Sequence, residues 1–295
     1  MRRRTLLQWA PLLVGGPALA QGDLLARAIP STGEAIPRVG LGTWITFNVG
    51  RDPPARARCV EVMRAFFDAG GRLIDSSPMY GSSQGVVGEG LRLPGARQRV
   101  FSAEKVWTSA DGAEQLAATR EQWQVQRFDL LQVHNLLAWE KQLPLLRAMK
   151  QRGEVRYVGI TTSEGRRHRE FEQVMRTQPL DFVQLTYNPV DREAEQRLLP
   201  LAAERGIAVL ANRPFQEGTL TRRLRGEPLP AWAADIGCRS WAQVILKFII
   251  SHPAVTCAIP ATRRVDHVRE NLAACRGALP DEALRQRIAS HIQRL

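Results

Sequence analysis

Long apolar runs are absent from this chain of 295 residues, and none reaches the ~20 residues that a transmembrane helix needs. A biased composition is absent too, because 44% of the residues are hydrophobic and 24% are charged, as in an ordinary globular protein. These absences predict a globular fold with no membrane span and argue against a disordered chain.

Lysine is scarce, and the 41 basic residues include only Lys105, Lys141, Lys150 and Lys247. Arginine is therefore the usual surface cation, and a lysine in an unusual place is informative. The net charge of +12 raises the alternative of a nucleic-acid-binding protein. The arginines are scattered, however, and lack the interleaved aromatic residues that stack on single strands. The sequence therefore predicts no nucleic-acid partner.

Cysteine is rare as well, and Cys59, Cys238, Cys257 and Cys275 lie far apart in the sequence. They form no Cys-x-x-Cys pair, and no histidine stands at metal-ligand spacing from them. We therefore expect no metal site and four reduced, structural cysteines.

The first 20 residues have the pattern of a removable export signal. Three arginines at positions 2–4 precede an apolar stretch over residues 6–19, and Ala18-Leu19-Ala20 fits a cleavage site. Arg3-Arg4 also fits the twin-arginine signal that exports folded proteins, and the alternative is an ordinary secretory signal with an additional arginine. The sequence predicts a signal peptide over residues 1–20, a mature domain over residues 21–295, a twin-arginine export machinery as partner and a periplasmic location.

Short apolar runs alternate with longer segments of helical periodicity from residue 39 onward, which indicates a parallel sheet of βα units. Eight such runs favour an α/β fold of the (β/α)8 TIM barrel class, as a single domain, over an open sheet. A turn at residues 31–34 predicts a short N-terminal hairpin that closes the bottom of the barrel. The predicted strands cover residues 39–43, 73–75, 100–104, 130–133, 158–161, 182–185, 208–211 and 255–259.

The glycine fingerprint of the Rossmann dinucleotide fold is missing. Ile45 and Leu93 stand where the third glycine of the two candidate Gly-x-Gly segments would be. A Rossmann-type nucleotide site is therefore not predicted.

Polar side chains end three consecutive predicted strands, where barrel enzymes place their catalytic groups. Asp75, Lys105 and His134 occupy these ends, and Tyr80 lies on the loop after Asp75. A lysine cation lowers the pKa of a nearby phenol, and an aspartate keeps such a lysine charged. The group predicts that Tyr80 donates a proton and that His134 orients it or the substrate. Taken singly, each residue also fits a structural role such as an ion pair or a packed ring.

The segments around these residues resemble the aldo-keto reductase family. They are residues 71–77, Tyr80-Gly81, residues 88–91, Lys105-Val106-Trp107 and residues 129–134. The resemblance extends from about residue 39 to residue 274. It implies hydride transfer from a nicotinamide to the carbonyl carbon of an aldehyde or ketone, with Tyr80 as the acid and Asp75, Lys105 and His134 as the rest of a tetrad.

The resemblance also assigns cofactor contacts at the ends of the later strands. Arginine suits a 2′-phosphate, so Arg263 and Arg264 favour NADPH over NADH, although two arginines in an arginine-rich chain also fit a solvated surface. The implied cofactor-binding positions are Thr43, Thr162, Gln184, Asn212, Pro214, Phe215, Gly218, Leu220, Arg263, Arg264, Glu270 and Asn271.

An aromatic and apolar pocket for a small carbonyl substrate is predicted beside Tyr80, formed by Trp44, Met79 and Trp107. Two other functions stay open. One is a nicotinamide-binding redox sensor or accessory subunit with little turnover, which the complete tetrad disfavours. The other is a metal-dependent barrel hydrolase, which the lack of a His-x-His pair on the first strand disfavours.

Overall fold

The structure of the protein is a computed structural model that describes residues 24–295. The predicted signal peptide, residues 1–20, lies outside the described residues. Within residues 24–295, no helix has the length and apolarity required to cross a bilayer.

Ten strands occur in the described chain, and eight of them form one parallel sheet. They are β1 Ala26–Ala28, β2 Ala35–Pro37, β3 Leu41–Gly42, β4 Leu73–Asp75, β5 Phe101–Val106, β6 Phe128–Val133, β7 Val155–Thr161, β8 Phe182–Thr186, β9 Ala208–Asn212 and β10 Val255–Ala258. The parallel sheet runs from β3 to β10 in the order of the chain. This order is the one expected when each strand is followed by a helix that returns the chain to the same edge.

Helices follow the strands and cover the outside of the barrel, and the longer helices bury an apolar stripe against it. In the helix over Trp139–Gln151, for example, Leu143, Leu146 and Met149 are buried. Gly153 has a φ of +76° just after that helix, the left-handed conformation in which a glycine commonly ends a helix. The helices are α1 Pro53–Asp68, α2 Ser83–Gly90, α3 Ala96–Arg99, α4 Gly112–Trp123, α5 Trp139–Gln151, α6 His168–Thr177, α7 Leu198–Glu204, α8 Thr219–Arg223, α9 Trp232–Asp235, α10 Trp241–Ser251, α11 Val265–Ala273 and α12 Glu282–Arg294.

The barrel closes between its first and last strands. Parallel bridges join Val39 to Ala258 and Gly42 to Ala261, and the Gly42 amide donates to the carbonyl of Pro260 at 3.0 Å. A Cβ on Gly42 would lie 2.7 Å from a backbone oxygen across this seam, so a residue with a side chain could not make the same approach. The first strand is shorter than the predicted 39–43, because Val39 pairs through a single bridge outside the regular ladder.

The N-terminal hairpin closes the bottom of the barrel, as predicted. β1 and β2 pair antiparallel, and Ile29 and Ile36 are fully buried inside the barrel. The Thr32 hydroxyl also contacts the Tyr157 hydroxyl at 2.7 Å. The two isoleucines pack in one cluster with residues at the beginning of the strands, among them Leu73, Phe101, Phe182 and Ala208.

The opposite edge of the barrel collects the carboxyl ends of all eight strands, because every neighbouring pair in the sheet is parallel. Side chains that end the strands therefore converge on the top of the barrel.

All four cysteines are buried and free within the structure.

Candidate active site

The four residues of the predicted tetrad lie together at the top of the barrel. Asp75 is the last residue of β4, Lys105 lies in β5, His134 directly follows β6, and Tyr80 ends a short 3-10 turn after β4. All four side chains are buried. Residues that are 59 positions apart in the sequence are thus brought into one small cluster by three adjacent strands.

A buried ion pair forms the base of this cluster. The Nζ atom of Lys105 donates to Oδ2 of Asp75 at 2.6 Å and to the carbonyl of Ser76 at 2.7 Å. It also lies 5.0 Å from the centroid of the Tyr80 ring. Burial favours the neutral amine, but Asp75, Tyr80 and Glu104 together raise the pKa of Lys105 above its ordinary value. Lys105 is therefore a fixed cation beside the phenol.

The pKa of Tyr80 moves in the direction opposite to the sequence expectation. Burial raises it to about 12, and the positive charge of Lys105 offsets only part of that effect. The sequence argument considered the lysine but not the loss of solvent around the phenol, which penalises the phenolate. Tyr80 is consequently a protonated phenol throughout the neutral range.

His134 is held as a neutral ring at the side of the phenol. Its Nδ1 atom lies 2.7 Å from the hydroxyl of Ser77, and its ring meets that of Tyr80 edge to face with centroids 5.6 Å apart. Burial, reinforced by the charge of Lys105, lowers the pKa of His134 well below 6.5. Ser77 was not singled out in the sequence, because a serine within a strand-to-loop segment gives no distinctive signal.

Asp75 has a second partner that comes from the far side of the barrel. Nε2 of Gln184, in β8, donates to Oδ1 of Asp75 at 2.7 Å, and the Thr43 hydroxyl donates to the backbone carbonyl of Asp75 at 3.0 Å. Both residues were predicted as cofactor contacts, and both also line the cavity above the tetrad. Gln184 thereby fixes the carboxylate that holds Lys105, and Thr43 fixes the backbone of Asp75.

A single cavity of about 880 Å³ extends from the tetrad across the top of the barrel. Its size suits a dinucleotide together with a small substrate. The predicted site residues in its wall are Thr43, Trp44, Asp75, Met79, Tyr80, His134, Gln184, Asn212, Pro214, Phe215, Gly218, Arg263, Glu270 and Asn271.

Other predicted residues lie outside the lining of this cavity. Thr162 donates its hydroxyl to the Arg166 carbonyl, although its own carbonyl accepts a hydrogen bond from Asn212 in the cavity wall. Leu220 is buried in the hydrophobic core. Lys105 lies beneath the cavity, Trp107 is 40% exposed, and the Arg264 guanidinium is paired with Asp266.

The far end of the cavity contains a residue that sequence reasoning missed. His267 lies in the cavity wall with Arg263, and its Nδ1 atom lies 3.3 Å from the Thr262 hydroxyl. The available signal was its place in the first turn of α11, where the backbone amides of a helix attract an anion. Arg263 and His267 together offer nitrogen donors for a phosphate.

A polar link crosses the rim of the cavity. Arg213 Nη1 lies 2.6 Å from Oε1 of Glu217 and 2.8 Å from Oε1 of Glu164. The Trp44 indole donates to the same Glu217 oxygen at 3.4 Å. The segment 213–217, which includes the predicted cofactor contacts Pro214 and Phe215, is thereby linked to Trp44 and to Glu164 on two sides of the barrel mouth.

Comparison with known proteins agrees with this geometry. Residues 38–292 match the sequence model described as "Aldo/keto reductase family". The chain belongs to that family.

Individual relatives support the same assignment. The methylglyoxal reductase YeaE of Escherichia coli (strain K12) is 30% identical over 248 residues, which are 81% of this chain and 85% of the relative. A second protein from that organism, an NADH-specific methylglyoxal reductase, is 26% identical and covers 69% of this chain and 71% of its own length.

A solved aldo/keto reductase from Klebsiella pneumoniae, in complex with NADP and acetate, aligns with a TM-score of 0.72 and 25% identity. The alignment covers 89% of this chain and 92% of that one. This aldo/keto reductase is therefore an NAD(P)H-dependent oxidoreductase with a (β/α)8 barrel.

Removal of the charge on Asp75 tests the buried ion pair. Asp75→Asn leaves the Lys105 ammonium without its counter-ion, and loss of one partner of a buried pair destabilises a protein by about 3–5 kcal/mol. We expect a loss of that size in urea unfolding. Glu61→Gln, which breaks the exposed pair with Arg64, is the control and should change stability little. Equal effects of the two substitutions would contradict the role of Asp75 as the counter-ion.

Proposed function

We propose that this aldo/keto reductase reduces an aldehyde or ketone with NADPH and that Tyr80 donates the proton. The observation that carries the proposal is the buried Tyr80 phenol beside the Lys105 ammonium at the wall of the cavity. The complex of the Klebsiella pneumoniae relative with NADP supports the cofactor class.

The chain's own residues fit the parts of such a cofactor. Thr43, Gln184 and Asn212 offer polar groups for the nicotinamide carboxamide beside the tetrad. The loop with Gly218, whose φ is +84°, has no side chain there and permits close approach of the pyrophosphate to the backbone. Arg263 stands at the adenosine end. NADPH, when bound, supplies the hydride that is added to the carbonyl carbon.

Proton transfer then follows from the electrostatics of the tetrad. The carbonyl oxygen gains negative charge as the carbon accepts hydride, and the O–H bond of Tyr80 breaks as its proton moves to that oxygen. The phenolate left behind is stabilised by the Lys105 cation, which Asp75 keeps charged. His134, neutral and held through Nδ1, orients the oxygen through its other ring nitrogen.

The substrate lies between Tyr80 and the rim of the cavity. Trp44 and Met79 form an apolar wall there, which suits a small carbonyl compound. The naming of two Escherichia coli relatives as methylglyoxal reductases supports a small aldehyde substrate. Partly exposed Trp107 contacts the substrate only if the substrate extends beyond the cavity.

Tyr80→Phe tests the assigned acid. Loss of a positioned general acid lowers rates by about 10²–10⁴-fold, and we expect at least that loss in NADPH-dependent aldehyde reduction, measured by absorbance decay. The Kd for NADPH, from fluorescence titration, should stay within about twofold because the ring remains. Tyr157→Phe at the bottom of the barrel is the matched control. Full activity of the Tyr80 variant would refute the acid, and NADPH binding without turnover in the wild type would favour an accessory subunit.

Arg263→Ala tests the preference for NADPH. Loss of a charge-assisted hydrogen bond to the 2′-phosphate should lower the NADPH-to-NADH affinity ratio by about tenfold or more. Arg269→Ala, in the helix α11 that begins two residues after Arg263 but outside the cavity lining, serves as the control. An unchanged ratio for the Arg263 variant would remove the basis for NADPH preference.

We also propose that residues 1–20 direct export of the folded protein to the periplasm. Support comes from Arg3-Arg4 in the signal-like segment and from the four free, buried cysteines, which need no oxidation after export. Replacement of both arginines by lysine should retain the full-length precursor in the cytoplasm, as shown by cell fractionation. Unchanged processing and location would contradict the twin-arginine route.

A further inference from the structure

A second buried carboxylate lies directly behind the tetrad. Glu104 precedes Lys105 in β5, and neighbouring residues of a strand point to opposite faces of the sheet. Lys105 faces the barrel interior, so Glu104 faces the helix layer, where its side chain is fully buried. The proton-transfer scheme described for Tyr80 makes no use of this group.

Three neutral donors satisfy the Glu104 carboxylate. Oε2 accepts from Nε2 of Gln84 at 2.9 Å and from the indole of Trp123 at 2.7 Å. Oε1 accepts from the backbone amide of Lys105 at 2.8 Å. A buried carboxylate without a hydrogen-bonded cation is costly, which points to a role beyond packing.

The contacts of Glu104 connect Lys105 with the helix that follows Tyr80. The ladder between β4 and β5 ends at Asp75, so the backbone amide of Lys105 has no acceptor in the β4 ladder. The Glu104 carboxylate accepts its hydrogen bond instead. Gln84 belongs to α2, which follows the turn that carries Tyr80. In α2, the Ser83 hydroxyl also donates to the Tyr80 carbonyl at 2.8 Å.

We infer that Glu104 is a positioning residue that acts on proton transfer through Lys105 and Tyr80 from the outer face of the barrel. It holds the strand of Lys105 against the helix that follows Tyr80, and its charge contributes to the electrostatic potential at the phenol. The inference rests on the proposed carbonyl reduction, and its test includes a measurement that does not depend on turnover.

The charge of Glu104 is responsive near neutral pH. Burial raises the pKa of Glu104 to about 7, against the opposing effects of Lys105 and of the donor Gln84. The titratable groups that face it are Lys105, Asp75 and Tyr80. The helices α2 and α4 contribute the neutral side chains of Gln84, Thr119 and Trp123.

Ionisation of Glu104 opposes release of the Tyr80 proton. Its negative charge raises the pKa of both Tyr80 and Lys105. As the pH increases through about 7, Glu104 ionises, the phenol becomes a weaker acid, and reduction slows. The rate of carbonyl reduction should therefore fall between about pH 6 and pH 8, in a step with the same midpoint as the ionisation of Glu104.

Glu104→Gln, studied in the full-length mature protein, tests this inference. At about pH 6, where wild-type Glu104 is protonated and uncharged like the variant, the comparison isolates the hydrogen bonds. The amide nitrogen of the variant cannot accept the bonds that one carboxyl oxygen takes, so we expect kcat for aldehyde reduction at that pH to fall by about tenfold. The Kd for NADPH should not change, and the step near pH 7 should disappear. A variant with the wild-type rate and step overturns the inference. A uniform loss of rate with the step retained indicates a merely structural role and also overturns it.

Two further variants keep the test decisive. Glu34→Gln removes a partly buried, ion-paired carboxylate at the bottom of the barrel. It should reduce the free energy of unfolding but leave the dependence of the reduction rate on pH as it is in wild type. If Glu104→Gln does not fold, Gln84→Met removes one donor to the carboxylate from α2 and should produce a smaller loss of kcat in the same direction. An unchanged kcat and pH profile in Gln84→Met then overturns the inference.

An activity-independent measurement separates this inference from the proposed function. The Trp123 indole, which donates to Glu104, should show a change in its N–H resonance with a midpoint near pH 7 in the NADPH-free protein. Glu104→Gln should abolish that change. Absence of the change in wild type overturns the inference even if turnover is normal, whereas a normal change without any carbonyl turnover overturns the proposed function alone.

Discussion

The arrangement at the top of the barrel depends on one buried ion pair, between Lys105 and Asp75. Two charges removed from water are tolerated only if each is close to the other and if their remaining hydrogen-bonding capacity is satisfied. The structure meets both conditions with the 2.6 Å contact between the charged groups, the Ser76 carbonyl and the Gln184 amide. The pair itself joins the adjacent strands β4 and β5, whereas Gln184 comes from β8 across the barrel, so the full set of partners needs the closed barrel.

The same burial governs the acid–base chemistry. Removal of solvent raises the pKa of Tyr80 to about 12 and keeps His134 neutral, so the site holds one protonated phenol, one neutral imidazole and one fixed cation. A phenol of this kind keeps its proton at neutral pH and can donate it when a neighbouring oxygen becomes more basic. In the proposed mechanism, Lys105 stabilises the phenolate product and does not ionise the phenol beforehand.

The two ends of the cavity carry different kinds of residues. The end near Tyr80 carries the groups suited to proton transfer, whereas Arg263 and His267 at the other end suit a phosphate. Between the two, the link from Trp44 through Glu217 to Arg213 crosses the rim. Selectivity for cofactor and for substrate can therefore vary independently, because different loops on the same rigid strands carry the two sets of residues.

The sequence alone determined the barrel class, the eight strand positions within a few residues, and the convergence of Asp75, Tyr80, Lys105 and His134. These follow from local patterns, since strand periodicity and chain order together decide which residues reach the same edge of a parallel sheet. Tertiary structure alone decided the direction of the Tyr80 pKa, the pairing of Gln184 with Asp75, the separation of Arg263 from Arg264, and the place of Glu104. Each of these depends on burial or on a partner from a distant segment, and neither quantity is encoded in local sequence spacing.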